Sequence, residues 1–198
     1  MLWPSFKRWK RKMRPSEFTA RPREAAQIAG WKGAAGLQTQ LKQGLLQGVG
    51  LPDDPSAEIP ANHAKRWTWS NFTFTDICGF RLAKVLMDAG VDAETAREIV
   101  SAQQVWEYQY QAQQIDEGTI EPCGDAGADH FVVVAAHKES VWAGERYAVL
   151  STGRLIEEFS IRKRGPFASL ALTVISLSDV RRDVIRRIET LKTETAED

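Results

Sequence analysis

Between Phe72 and Val100 the chain reads FTFTDICGFRLAKVLMDAGVDAETAREIV. This run constrains the fold more than any other, because a helix start, a short amphipathic helix, a stop and a second start follow one another directly. Thr73 and Asp76 have capping-box spacing, in which a hydroxyl and a carboxylate satisfy backbone N–H groups that a helix start leaves without partners. Helix is predicted from about Phe74. Ile77, Phe80, Val85 and Leu86 then line one side at helical spacing. Gly90 supplies a left-handed residue to end the helix, and Asp92 opens the next. Two helices punctuated in this way follow the grammar of a helix-turn-helix.

A similar arrangement is legible upstream. Pro22 suits the first position of a helix over Arg23 to Ala29, where its missing N–H costs nothing. In a second helix Leu37, Leu41 and Leu45 fall on one side, which leaves Gln38, Thr39 and Lys42 on the other. A glutamine amide offers adenine both a donor and an acceptor, and a lysine reaches phosphate or a guanine edge. An ordinary solvated helix face is the other reading of these three residues. Gly33 and Gly36 weaken this helix in isolation, so tertiary packing must hold it.

Phe72, Thr73, Phe74, Asp76, Ile77, Arg81, Leu86, Asp88, Ala89, Gly90 and Val91 resemble the second half of the MerR-family DNA-binding domain. Pro22, Glu24, Ala26, Ile28, Ala29, Gly30, Leu37, Gly44, Leu45 and Leu46 resemble its first half, in which a Pro-x-Glu helix start precedes a recognition helix closing on Gly-Leu-Leu. The resemblance covers residues 19–102 and implies a winged helix-turn-helix that binds double-stranded DNA. Gln38, Thr39, Lys42 and Arg81 would contact the DNA, and a helix beyond residue 102 would pair two copies.

The charge distribution is compatible with that expectation. The formal net charge is zero, yet residues 1–70 carry 12 Lys/Arg against 5 Asp/Glu, a net of +7. Residues 71–129 carry 3 against 11, and residues 130–198 carry 11 against 10. Positive charge therefore concentrates on the half expected to read DNA, where it would attract phosphate without making the whole surface adhesive. Residues 1–18 form a basic arm in which Lys7, Arg8, Lys10, Arg11, Lys12 and Arg14 alternate with Trp3, Phe6, Trp9 and Met13. It reads either as a tail that follows phosphates or as a packed or disordered terminus. Between Val49 and Ala64, prolines, glycines, Asp53, Asp54 and Asn62 interrupt any period, and Lys65-Arg66-Trp67-Thr68-Trp69 follows as a strand. This is read as an enlarged wing, with Lys65 and Arg66 gripping the backbone and the tryptophans packing it down.

Beyond the helix-turn-helix, the helix opened by Asp92 is predicted to run to about Ile115, because neither Gly nor Pro interrupts it before Gly118. Such a helix would project from its domain. Its Ile99, Trp106 and Tyr110 would form a dimer seam, or else would pack on the chain's own C-terminal part. Residues 103–127 are thus a connecting helix and loop. In residues 128–198 the rhythm changes. Phe131 to Ala136, Tyr147 to Ser151, Leu155 to Ile161 and Phe167 to Leu177 read as strands separated by turn signals, the last apolar enough for a central strand. A helix from Ser178 follows, with Val180, Val184, Ile188 and Leu191 on one face and Arg181, Arg182, Arg186 and Arg187 outside. The fold class is α+β, with a small sheet-plus-helix domain after the helical one.

Catalytic chemistry is not expected. The sequence holds no Walker loop, dinucleotide fingerprint or nucleophile elbow. Cys123, Asp125, Asp129 and His130 lie close together, but their spacing fits no standard zinc pattern, and a polar interdomain loop is the better reading. No cofactor or metal is expected. Two cysteines, Cys78 and Cys123, do not make a disulfide framework. No apolar run reaches the roughly 18 residues of a membrane span, and no apolar leader opens the chain, so a cytoplasmic location is expected. The expectation is a sequence-specific, dimeric or higher homo-oligomeric DNA-binding transcriptional regulator. The alternatives are a DNA-packaging or recombination accessory factor of a mobile element, and a protein-interaction adaptor whose helix-turn-helix no longer binds DNA.

Overall fold

A computed structural model describes residues 14–46, 71–122, 128–135, 146–162 and 172–194. The fold is mixed α and β. After a 3-10 turn at Pro15–Glu17 come β1 (Thr19–Ala20), α1 (Pro22–Ala29), α2 (Ala34–Lys42), β2 (Phe72–Thr73), α3 (Phe74–Asp88), α4 (Ala93–Ser101) and α5 (Gln103–Glu117). The remainder comprises β3 (His130–Ala135), β4 (Tyr147–Ser151), α6 (Thr152–Arg162), β5 (Leu172–Ser176) and α7 (Leu177–Glu194). Strands β1 and β2 pair antiparallel, Thr19 with Thr73 and Ala20 with Phe72, which ties the start of α1 to the start of α3.

The helix ends follow the local signals. At α1 the Glu24 carboxylate accepts from the Arg21 backbone N–H at 3.0 Å, while Pro22 at the next position has no N–H to satisfy. Gly30, at φ +82°, closes α1, and the Trp31 N–H returns to the Ala26 carbonyl at 2.8 Å. At α3 the Thr73 hydroxyl accepts from the Asp76 N–H at 3.3 Å, while the Asp76 carboxylate accepts from the Thr73 N–H at 3.0 Å. Both orphan donors of the expected capping box are thereby satisfied. At the other end Gly90, at φ +88°, lets Val91 N–H reach the Leu86 carbonyl at 3.0 Å. Asp92 caps α4 by accepting from the Thr95 N–H at 2.9 Å.

The expected helix from Asp92 to Ile115 is broken. Ala102 adopts an extended conformation, φ −66° and ψ 136°, between α4 and α5. The cause lies in the phase of the buried residues. α4 buries Ala96, Ile99 and Val100, whereas α5 buries Val105, Tyr108 and Gln109. At 3.6 residues per turn the second set would lie about 180° around a straight helix from the first. One extended residue reorients the chain so that both faces reach the same interior. α5 therefore does not project: its buried residues belong to the chain's own core.

The C-terminal half forms a three-stranded antiparallel sheet in the order β4-β3-β5. Val132 faces Val149 on one side and Ile175 on the other. The central strand is β3, with Val132, Val133 and Val134 all buried, and not the final strand as its apolar run suggests. β5 is an edge, and its Val174 is 40% exposed. The strand expected at Leu155 to Ile161 is instead helix α6. Leu155 and Glu158 are half-buried at helical spacing against β4 and β3, and Arg154, Leu155, Glu157 and Glu158 are good helix formers. The helix expected from Ser178 is α7, and it packs on α3, α1, β3 and β5.

One apolar cluster runs through both halves. It joins Ala25, Ile28, Leu37, Phe74, Phe80 and Leu86 of the helical half with Val132, Val134 and Ile175 of the sheet and with Leu177, Val184 and Ile188 of α7. Phe72 and Phe80 meet edge to face with centroids 5.0 Å apart, a favourable aromatic geometry. Among the described residues no helix is long and apolar enough to cross a membrane.

Candidate nucleic-acid interface

Helix α2 is a surface helix fixed from beneath. Leu37 and Leu41 are 1% and 5% exposed, and Leu45 just beyond the helix is also buried. That burial turns Gln38, Thr39 and Lys42 outward together, and all three are exposed. The Thr39 hydroxyl donates to the Ala35 carbonyl at 3.0 Å, so its lone pairs are what it presents outward. From α4, Arg97 donates to the side-chain oxygens of Gln40 at 3.0 Å and Gln43 at 3.1 Å. From the turn before α2, Trp31 Nε1 donates to the Phe80 carbonyl at 3.3 Å. These ties hold a helix whose own Gly36 contributes little. Sequence reasoning misses Arg97 and Trp31, because nothing local signals a side chain that braces another element.

Arg81, expected as a DNA contact, is committed elsewhere. Its Nε lies 2.9 Å from Asp183 on α7, and its Nη1 donates to the Ala29 carbonyl at 3.4 Å. Only 17% of its side chain is exposed, so it ties α3 to α7 and to the C-terminus of α1. Asp183 gathers two further guanidinium groups, Arg187 Nε at 2.8 Å and Arg186 Nη2 at 2.5 Å. Burial raises the pKa of the Asp183 carboxyl, but the Arg187 and Arg186 hydrogen bonds and the surrounding positive charge outweigh it and bring it below the usual carboxylate range. Nothing in the sequence distinguishes Asp183 from other acids on α7.

Arg181, expected outside, is buried. Its Nη2 and Nε donate to Asp116 on α5 at 2.6 and 3.0 Å, and its guanidinium lies 4.6 Å from the centroid of the Phe74 ring. A helical wheel places an arginine by charge and so misses one whose charge is matched inside. A second polar connection links the same elements. The Tyr108 and Ser178 hydroxyls are 2.7 Å apart, and Ser178 donates to the Asp129 carboxylate at 2.6 Å. Asp129 and His130 are thus in structural use, His130 Nδ1 lying 3.0 Å from the Ala128 carbonyl. Cys123 and Asp125 lie outside the described residues, among which no group of three metal-ligating side chains occurs. The Cys78 thiol is fully buried, and burial pushes its pKa up to about 12, against the lowering effect of Arg181. It stays protonated and is a poor nucleophile.

The expected dimer seam does not survive intact. Ile99 is wholly buried in the chain's own core and cannot meet a partner. Trp106 packs half-buried against the same core, and Tyr110 is 51% exposed. Of the basic arm's cations only Arg14 is described; it is exposed and pairs with Glu17 at 3.5 Å. Lys7, Arg8, Lys10, Arg11 and Lys12, and the wing residues Lys65 and Arg66, lie outside the described residues. No protein-family model matches this chain, and no curated protein matches it.

Proposed function

We propose that this protein is a sequence-specific DNA-binding transcriptional regulator whose reading head is the α1–α2 helix-turn-helix of a MerR-like winged domain. The observation that carries the reading is the presentation of α2. Its leucines are sealed in the core, it is braced from α4 by Arg97, and it directs Gln38, Thr39 and Lys42 outward as one polar face. A rigid helix with an amide, a hydroxyl and an ammonium on one side has the groups needed to read base edges in a major groove. The excess positive charge of residues 1–70 would supply the phosphate attraction that precedes reading. Pairing of two copies would set half-site spacing, and exposed Tyr110 beside Trp106 is the part of the expected seam still open to a partner.

Selection of bound fragments from sheared genomic DNA by the purified protein tests this reading. A recurrent site should emerge, and Gln38→Ala should weaken binding to it by about 1–3 kcal/mol while relaxing one base position. Failure to enrich any sequence, or an unchanged base preference after Gln38, Thr39 and Lys42 are all replaced by Ala, would refute it.

A further inference from the structure

The middle of α7, with the facing side of α3, carries a dense cluster of positive charge. Among the ion pairs of the described residues, Arg182 pairs with Asp179, while Arg81, Arg186 and Arg187 all share Asp183. Three guanidinium groups on one carboxylate leave a local excess of positive charge around Asp183. Arg186 is 76% exposed. If it swings away, Asp183 keeps Arg81 at 2.9 Å and Arg187 at 2.8 Å, so no buried carboxylate is stranded. The cluster borders an open groove of about 680 Å³ lined by Arg81, Val174, Ser176, Asp179, Arg182 and Arg186.

The position of this cluster suggests its partner. A Cβ built on Gly30, the residue that closes α1, would lie 2.7 Å from Arg81 Nη1 and 3.6 Å from Arg187 Nη1. Arg81 and Arg187 therefore abut the turn between α1 and α2, and through the shared Asp183 they adjoin Arg186. When a helix-turn-helix docks, its second helix enters the major groove while the first crosses the sugar-phosphate backbone. The turn is then close to phosphates, and a positive patch continuous with it meets a row of negative charge. We infer that the α7 arginines, Arg186 foremost with Arg182 beside it, form a second phosphate-binding surface that extends the contact of the α1–α2 reading head along the DNA backbone. This inference rests on the proposed function and deepens it. Guanidinium groups match phosphate oxygens in fork geometry, and they contribute affinity and register without reading bases.

The test uses the full-length protein, the fragment it selects from genomic DNA, and an unrelated duplex of equal length. The variant is Arg182→Ala with Arg186→Ala; both side chains are at the surface. Affinity is measured from about 50 to 200 mM salt. Each phosphate contact contributes about 0.9 to the slope of log affinity against log salt, so two lost contacts flatten it by about 1.8. Over that roughly fourfold change in salt, the wild type should lose about twelvefold more affinity than the variant, on both duplexes alike. The charge-conserving pair Arg182→Lys with Arg186→Lys should keep the wild-type slope. An unchanged slope in the alanine variant, or an equal flattening in the lysine variant, overturns the inference while the reading head stands. A wild type that binds neither duplex at the lowest salt overturns both.

Discussion

Replacing Asp116 by Asn removes the charge that Arg181 relies on. Both side chains are almost wholly buried, with 5% and 6% exposed. One Asp116 oxygen accepts two N–H groups, at 2.6 and 3.0 Å. Breaking a buried ion pair from one side costs about 3–5 kcal/mol, because an uncompensated charge is left in the interior. Here the Phe74 ring at 4.6 Å and the Gln109 side-chain oxygen at 3.5 Å still face the guanidinium, and asparagine retains one neutral acceptor. The loss should therefore sit near the lower end, at about 3 kcal/mol. For a chain of this size that corresponds to a fall in Tm of about 6–12 °C. Urea denaturation followed by circular dichroism gives the free energy. The double variant Asp116→Leu with Arg181→Met should recover most of the loss, since apolar pairs of similar volume commonly replace buried ions without cost. A single variant within about 1 kcal/mol of wild type, or a double variant as unstable as the singles combined, would show that the pair is not a desolvated unit.

Gly30→Ala imposes a left-handed conformation on a residue with a Cβ, and that Cβ would meet Arg81 Nη1 at 2.7 Å. A loss of about 1–3 kcal/mol is expected by chemical denaturation; a variant as stable as wild type would mean that the turn and Arg81 relax freely. For Asp92 the hydrogen bond from the Thr95 backbone is the main cause that lowers its pKa from 3.8 to about 2; burial opposes it, and the Thr95 hydroxyl and Arg146 add to the lowering. The shift is downward, so the stability it contributes is fully present above the unfolded-state value and is lost as pH falls through about 2. An Asp92→Asn variant keeps a capping oxygen but does not titrate at this position, so the stability gap between it and wild type should be constant above about pH 5 and narrow between about pH 4 and 2. A gap that does not change across that range counts against the assignment.

What the sequence makes legible is what local chemistry determines. The Thr73/Asp76 box, the Asp92 cap, the Gly30 and Gly90 stops and the leucine side of α2 each depend on residues within about one or two helical turns of each other. The break at Ala102 is written in the sequence too, but in the phase between Val100 and Val105 and not in any helix-breaking residue. α6 is misread because a turn signal at Thr152-Gly153 and the apolar residues after it suit a strand as well as an amphipathic helix. The roles of Arg81 and Arg181 depend on acids far away in the sequence, at Asp183 and Asp116. No reading of one helix at a time can assign such charges, because burial is decided by the partner.

The shared core has a consequence for how this architecture could be inherited. Helix α7, close to the end of the described chain, closes one side of the bundle that holds α1 and α3, with Val184 and Ile188 fully inside. A gene segment encoding only residues 19–102 would lack that closure and would expose to water the apolar surface that α7 and the sheet now cover. Shuffling α1 and α2 into another protein would thus require carrying along a segment encoded far downstream. Change in this chain is better accommodated at its surface, on the outward side of α2, than by exchange of whole modules.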